Sequence, residues 1–259
     1  MLISNKFLKF FYTTLLSGMP SLSVNPINKN ILHAPFIVNP SSTYINYKLD
    51  ENQYRKIDNF LKKNDNNFNM LNTSIIKDTN KDYFLSINIY NCTSPIFNFL
   101  TKEPVTRCEI NTYVINKDNL IGTLIMDYVS NILSLDPDNL FKRKNDIYFK
   151  KNNNIIYGNA KNDNFYLDFS YDVYNNINKY KLSLELIEFT DVIFYNCGLY
   201  DKLYYDSSLI NNHIVVCNNN NIKFNFLDLE FTNVDSVFYF EKKIDFIGGM
   251  WANIFKHNV

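Results

Sequence analysis

Arg107, Glu109 and Asn111 occupy alternate positions of one apolar-rich segment, so in an extended chain they share a face while Cys108 and Ile110 take the other. If that face is enclosed, Glu109 can transfer a proton or hold a ligand cation. The alternative for Glu109 is a pair with Arg107 or with a neighbouring lysine on an exposed face, the ordinary setting of a carboxylate. Asp127 has the same choice of roles, and its place beside Tyr128 and ahead of Ser130 also suits a cap for a short helix over residues 129–133. Downstream, Asp136-Pro137-Asp138-Asn139 leads into a basic run, Lys142-Arg143-Lys144, whose composition matches a solvated turn.

Other chemistries lack their residues. His33, His213 and His257 are far apart, and none joins a Cys, Asp or Glu at metal-ligand spacing. The sequence has no GxSxG elbow and no GxGxxG or GxxxxGK loop. No metal and no other cofactor is therefore expected. Cys92, Cys108, Cys197 and Cys217 form no CxxC pair and read as buried thiols in a reducing compartment rather than as a disulfide framework.

The elements that must position these residues are mostly strands. Residues 83–90, 107–115 and 123–128 are extended segments, the second and third joined by a turn at Lys117, Asp118 and Asn119. Phe165, Leu167, Phe169, Tyr171 and Val173 share one face, with Asp168, Ser170 and Asp172 on the other. Tyr180, Leu182, Leu184 and Leu186 repeat the pattern, and apolar segments follow at 214–217, 222–229 and 234–240. Asn-rich stretches at 152–154 and 218–221 are turns, because Asn tolerates a left-handed backbone. One clear helix is expected over 52–63: Asp50 and Gln53 form a capping pair, and Tyr54, Ile57, Phe60 and Leu61 fall at helical spacing. The fold class expected is mainly β: a large antiparallel sheet curled into a barrel or cone, with one or two packed helices.

With 259 residues and 46% hydrophobic content, the chain can bury a sizeable core as one domain. Lys6 and Lys9 precede an apolar run from Phe10 to Leu16, but Thr13 and Thr14 interrupt it and Pro20 follows closely. Pro26, Pro35 and Pro40 keep the next stretch extended. Residues 1–44 are thus expected to be an extended arm and 45–259 a single β-barrel-like domain, cytoplasmic in preference to secreted. The 26 basic and 26 acidic residues cancel, which removes the long-range attraction of a non-specific nucleic-acid or anionic-membrane binder. Neither nucleic acid nor membrane is an expected partner. The 22 Phe and 19 Tyr are assigned to the core and to cross-strand pairs.

The order of elements resembles the acetoacetate decarboxylase-like superfamily over about residues 45–170: an extended entry, the helix at 52–63, then strands at 83–90, 108–114 and 122–128. The best local match lies between residues 132 and 144. There Asp136 stands near the position of the family's Glu, and Lys142-Arg143 take the place of its lysine pair. Ser134-Leu135 replace the Gly-Arg of the family's triplet, and Phe141 stands where it has proline. The resemblance implies a Schiff-base role for Lys142, its pKa lowered by apolar surroundings and by Arg143 or Lys144. Glu109 and Asp127 would then move protons or orient the substrate, and Arg107, Asp136 and Arg143 would bind it.

Two functions follow from these readings. The favoured one is a non-catalytic scaffold for a protein partner, in a virus or intracellular parasite with an A/T-rich genome, since Asn, Ile, Lys, Phe and Tyr are all frequent. The alternative is a barrel binding a small organic ligand, or a Schiff-base-forming lyase acting on a keto acid. Convergent polar groups inside the fold would favour the ligand site, and an interior filled by Phe and Tyr the scaffold.

Overall fold

Strand-forming alternation organises most of the chain. The computed structural model describes residues 36–64, 68–76, 79–93, 105–117, 119, 121–131, 147–173, 191–194, 200–202, 214–216, 221–240 and 244–246. In chain order these form β1 (Phe36–Lys48), α1 (Glu51–Asn64), β2 (Phe68–Met70), β3 (Phe84–Thr93), β4 (Val105–Asn116) and β5 (Ile121–Ser130). A meander follows of β6 (Ile147–Asn152), β7 (Ile155–Lys161) and β8 (Phe165–Asp172). Then come β9 (Asp191–Phe194), β10 (Tyr200–Lys202), β11 (Ile214–Val216), β12 (Asn221–Phe226), β13 (Leu229–Phe231), β14 (Val234–Phe240) and β15 (Ile244–Phe246).

The described residues are mainly β with one helix, as expected, and their strands form two sheets. The larger has the order β10-β9-β5-β4-β3-β1-β14-β11, with β15 also paired to β1 and β2 to β4; the smaller runs β13-β12-β8-β7-β6. Neither closes into a barrel. Pairing is antiparallel except between β5 and β9, which run parallel.

The boundary expected at residue 44 falls inside β1. Ser42 to Tyr47 pair with β14 on one side and β3 on the other, while Phe36 to Val38 pair with β15. Pro40 does not break the strand because it lies where the β1–β3 register shifts, between Val38 and Ser42, the kind of irregularity that accommodates a residue lacking an N–H.

Helix α1 begins as its sequence requires. The Asp50 carboxylate accepts from Gln53 N at 2.8 Å, and Gln53 Oε1 accepts from Asp50 N at 3.0 Å, a reciprocal cap. Gln53, Ile57 and Leu61, four residues apart, form the buried stripe. The second helix expected at 129–133 does not start: Val129 and Ser130 are the end of β5, opposite Cys108 and Arg107.

The sheets meet through apolar faces. Ile45, Tyr47, Ile87, Ile89, Cys108, Ile110 and Val237 of the large sheet join Phe149, Phe169, Tyr171, Phe224 and Phe231 of the small one in a single core. Tyr47 stacks on Phe224 at 5.4 Å and meets the edge of Phe231 at 5.8 Å. Thr43 and Tyr171 exchange a hydrogen bond across the layers. Strand β8 alternates as expected, with Phe165, Leu167, Phe169 and Tyr171 buried. No helix among the described residues is long and apolar enough to cross a membrane.

Candidate functional site

The other face of the large sheet is where the chemistry gathers. Register places Ser42, Tyr44 and Asn46 of β1, Ser86, Asn88 and Tyr90 of β3, Arg107, Glu109 and Asn111 of β4, and Tyr128 and Ser130 of β5 on one side. These residues are polar, yet nearly all of them are buried. Burial demands partners, and the face supplies many. Ser42 Oγ donates to Asn88 Oδ1 at 3.1 Å, whose Nδ2 donates to Tyr44 OH at 3.0 Å. Ser86 Oγ donates to Asn46 Oδ1 at 2.7 Å, and Asn46 Nδ2 to Ser236 Oγ at 3.2 Å.

Arg107 and Glu109 form the centre of this layer. Arg107 is fully buried, and its Nε donates to Glu109 Oε1 at 2.5 Å. Tyr90 OH donates to the same oxygen at 2.9 Å. The Tyr128 ring lies beneath the guanidinium, 4.0 Å from ring centre to carbon. Burial opposes the charge on Arg107, but Glu109, followed by Tyr90 and Tyr128, holds its pKa above the ordinary value, so the residue stays cationic. Among the described residues neither Nη1 nor Nη2 has a hydrogen-bond partner, and Asn111 Oδ1 is likewise unpartnered.

Of the residues singled out from sequence, Arg107 and Glu109 therefore come together, as an ion pair buried within the fold rather than on an exposed face. Asp127 points to the opposite side of the sheet. It accepts from Asn162 Nδ2 at 3.1 Å and Asn164 Nδ2 at 2.8 Å, and so ties β5 to the turn between β7 and β8. Lys142, Asp136 and Arg143 lie outside the described residues. Cys108, on the apolar face, is a free thiol whose pKa burial pushes well above its usual range, so it is not a nucleophile at neutral pH.

Sequence reasoning passed over Tyr90, Tyr128 and the Ser/Asn lattice. A signal was present: the polar positions of β3 are Ser86, Asn88 and Tyr90, all uncharged, whereas the outer face of the small sheet carries Lys161, Asp168, Asp172 and Lys223. Uncharged hydrogen-bonding side chains at alternate positions fit an enclosed polar layer better than a solvated one.

No protein-family model matches the chain, and no curated protein matches it in sequence. In structure it is similar to an acetoacetate decarboxylase-like enzyme from Sphingomonas wittichii RW1, with 8% identity, coverage of 87% of this chain and 94% of that one, and a TM-score of 0.48. It is also similar to the enduracididine biosynthesis enzyme MppR complexed with the condensation product of pyruvate and imidazole 4-carboxaldehyde, at 9% identity over 82% of this chain and 87% of that one, TM-score 0.46. The same enzyme complexed with pyruvate gives 9% identity, 82% and 88% coverage, and a TM-score of 0.46. The resemblance is one of fold, and no residue role is carried over from these enzymes.

Proposed function

We propose that this protein binds a small organic molecule through an anionic group, a carboxylate in the first instance, received by Arg107 on the polar face of the large sheet. One observation carries the reading: a fully buried guanidinium held at Nε by Glu109, with Nη1 and Nη2 unpartnered among the described residues. Buried donors without acceptors cost about 1–3 kcal/mol each. A purely structural ion pair would use the fork; here Nε alone is engaged while Nη1 and Nη2 are enclosed without an acceptor among the described residues, and the guanidinium geometry is suited to a planar anion. Glu109 and Tyr128 hold the group in place, so little ordering remains to be done on binding.

The reading is tested by titrating the protein with acetate, butyrate and succinate, followed by ligand-observed NMR and calorimetry. Arg107→Met should weaken binding about tenfold or more, the size of a charge-assisted hydrogen bond. Binding that is indifferent to Arg107→Met in a folded variant, or no binding at millimolar ligand, sinks the proposal and leaves the non-catalytic scaffold for a protein partner as the better account. If the ligand is a keto acid, Lys142 is the amine assigned to imine formation. Borohydride with a small β-keto acid should then leave a covalent adduct on Lys142, absent in Lys142→Ala.

A further inference from the structure

Arg107 offers only donors, and the other unpartnered group on its face offers the opposite. Asn111 is 2% exposed, and its Oδ1 finds no donor among the described residues. Its cross-strand neighbours explain why. On one side is Ser86, whose hydroxyl proton is given to Asn46. On the other, the β4–β5 register shifts between Ile110 and Asn111, so that Ile125 stands opposite Asn111 with Met126 as the extra residue. The bulge brings an apolar side chain to that place and leaves the amide oxygen without a partner.

We infer that the ligand carries a hydrogen-bond donor as well as its anion, and that Asn111 is the residue that selects for it. The inference rests on the reading of Arg107 given above and extends it to the ligand's other end. Arg107 and Asn111 lie four residues apart on one strand, about 13 Å between Cα atoms at strand rise. The Arg107 side chain leans along the strand to reach Glu109, which shortens the gap the ligand must span. A chain of several atoms with an anionic group at one end and a hydroxyl or amine toward the other fits this polarity, whereas a plain alkyl carboxylate leaves Asn111 Oδ1 buried and unmet.

The experiment compares straight-chain ω-hydroxy carboxylates, from glycolate upward, with the parent carboxylates of equal length. At one chain length the hydroxy compound should bind about three- to tenfold tighter, the range for one neutral hydrogen bond. Asn111→Leu and Asn111→Ala, each checked for folding by thermal unfolding, should abolish that difference. Equal affinities at every length in the wild-type protein, or a preference that survives both variants, overturn the inference. Parent carboxylates that bind through Arg107 without any preference for the hydroxyl overturn this step alone. A failure of both series to bind overturns the reading of Arg107 as well.

Discussion

Tyr128 is the cross-strand neighbour of Glu109, yet its ring lies under the guanidinium of Arg107, two residues along β4. Tyr90 makes the reciprocal diagonal: it stands opposite Arg107 and donates to Glu109. Each tyrosine thus holds the partner of the residue it faces, and the ion pair is braced from both neighbouring strands. Long side chains reach such diagonal positions readily in a sheet.

The bracing makes the pair costly to break and cheap to replace. Glu109→Ala leaves a buried, unpaired cation and should lower stability by about 3–5 kcal/mol in urea unfolding. The double variant Arg107→Met with Glu109→Leu should recover most of that loss, since apolar groups of similar volume need no partner. A cost for Glu109→Ala as small as that of a surface substitution would contradict the burial described.

Tyr47 stacks in the core with a hydroxyl that meets no partner among the described residues. Tyr47→Phe removes an orphaned polar atom while keeping the ring. We expect a gain of about 1 kcal/mol in the same measurement, and a loss would reveal a partner for that hydroxyl.

Stability should fall at alkaline pH. Burial pushes the Tyr113 phenol up to about 12 from an ordinary 10.0, and the Cys108 thiol rises from 9.0 for the same reason. A folded-state value above the unfolded one means that the neutral group favours the folded chain fully below the ordinary value, and that this contribution is lost as pH rises through the folded value. Urea unfolding should therefore be level from neutrality to about pH 9 and decline above it. Tyr113→Phe should make the decline shallower; an unchanged slope would show that Tyr113 does not contribute.

Gly158 on β7 faces Phe169 of β8 at such close range that a Cβ would lie 2.7 Å from the ring and 3.0 Å from the Tyr148 carbonyl oxygen. Gly158→Ala must displace the ring or the strand, and should destabilise by about 1–3 kcal/mol as overpacking does. A neutral thermal shift would show that Phe169 has room to move.

The reciprocal cap of α1 gives a graded test. Asp50→Ala should cost about 1 kcal/mol. Gln53→Ala should cost more, because Gln53 Nε2 also donates to the Glu230 carbonyl at 3.1 Å and so links the helix to β13. Equal losses in urea unfolding would show that the second bond is idle.

That helix was legible in the chain because its determinants are local: Asp50 and Gln53 are three residues apart, and Ile57 and Leu61 four. So was the division of β8 into two faces, and of β4 into Arg107, Glu109 and Asn111 against Cys108 and Ile110, since side-chain direction alternates in any strand. What the alternation could not say is which faces see water. Both faces of β4 are covered, so Glu109 became part of an interior layer, while Asp127, one residue from Tyr128, went to the other side and its asparagines. The turn at Leu227 and Asp228 carries only a weak local signal. Both have positive φ, 52° and 57°; Asp228 tolerates that conformation but Leu227 does not favour it, and the pairing of β12 with β13 imposes the bend. Strand partners and layers are set by contacts between distant residues, such as Thr43 with Tyr171, and their energies depend on what else has folded. The sequence alone therefore determined the helix and the facing of each strand, and only the tertiary structure decided that the polar face of β4 is buried and that Arg107 and Asn111 share it.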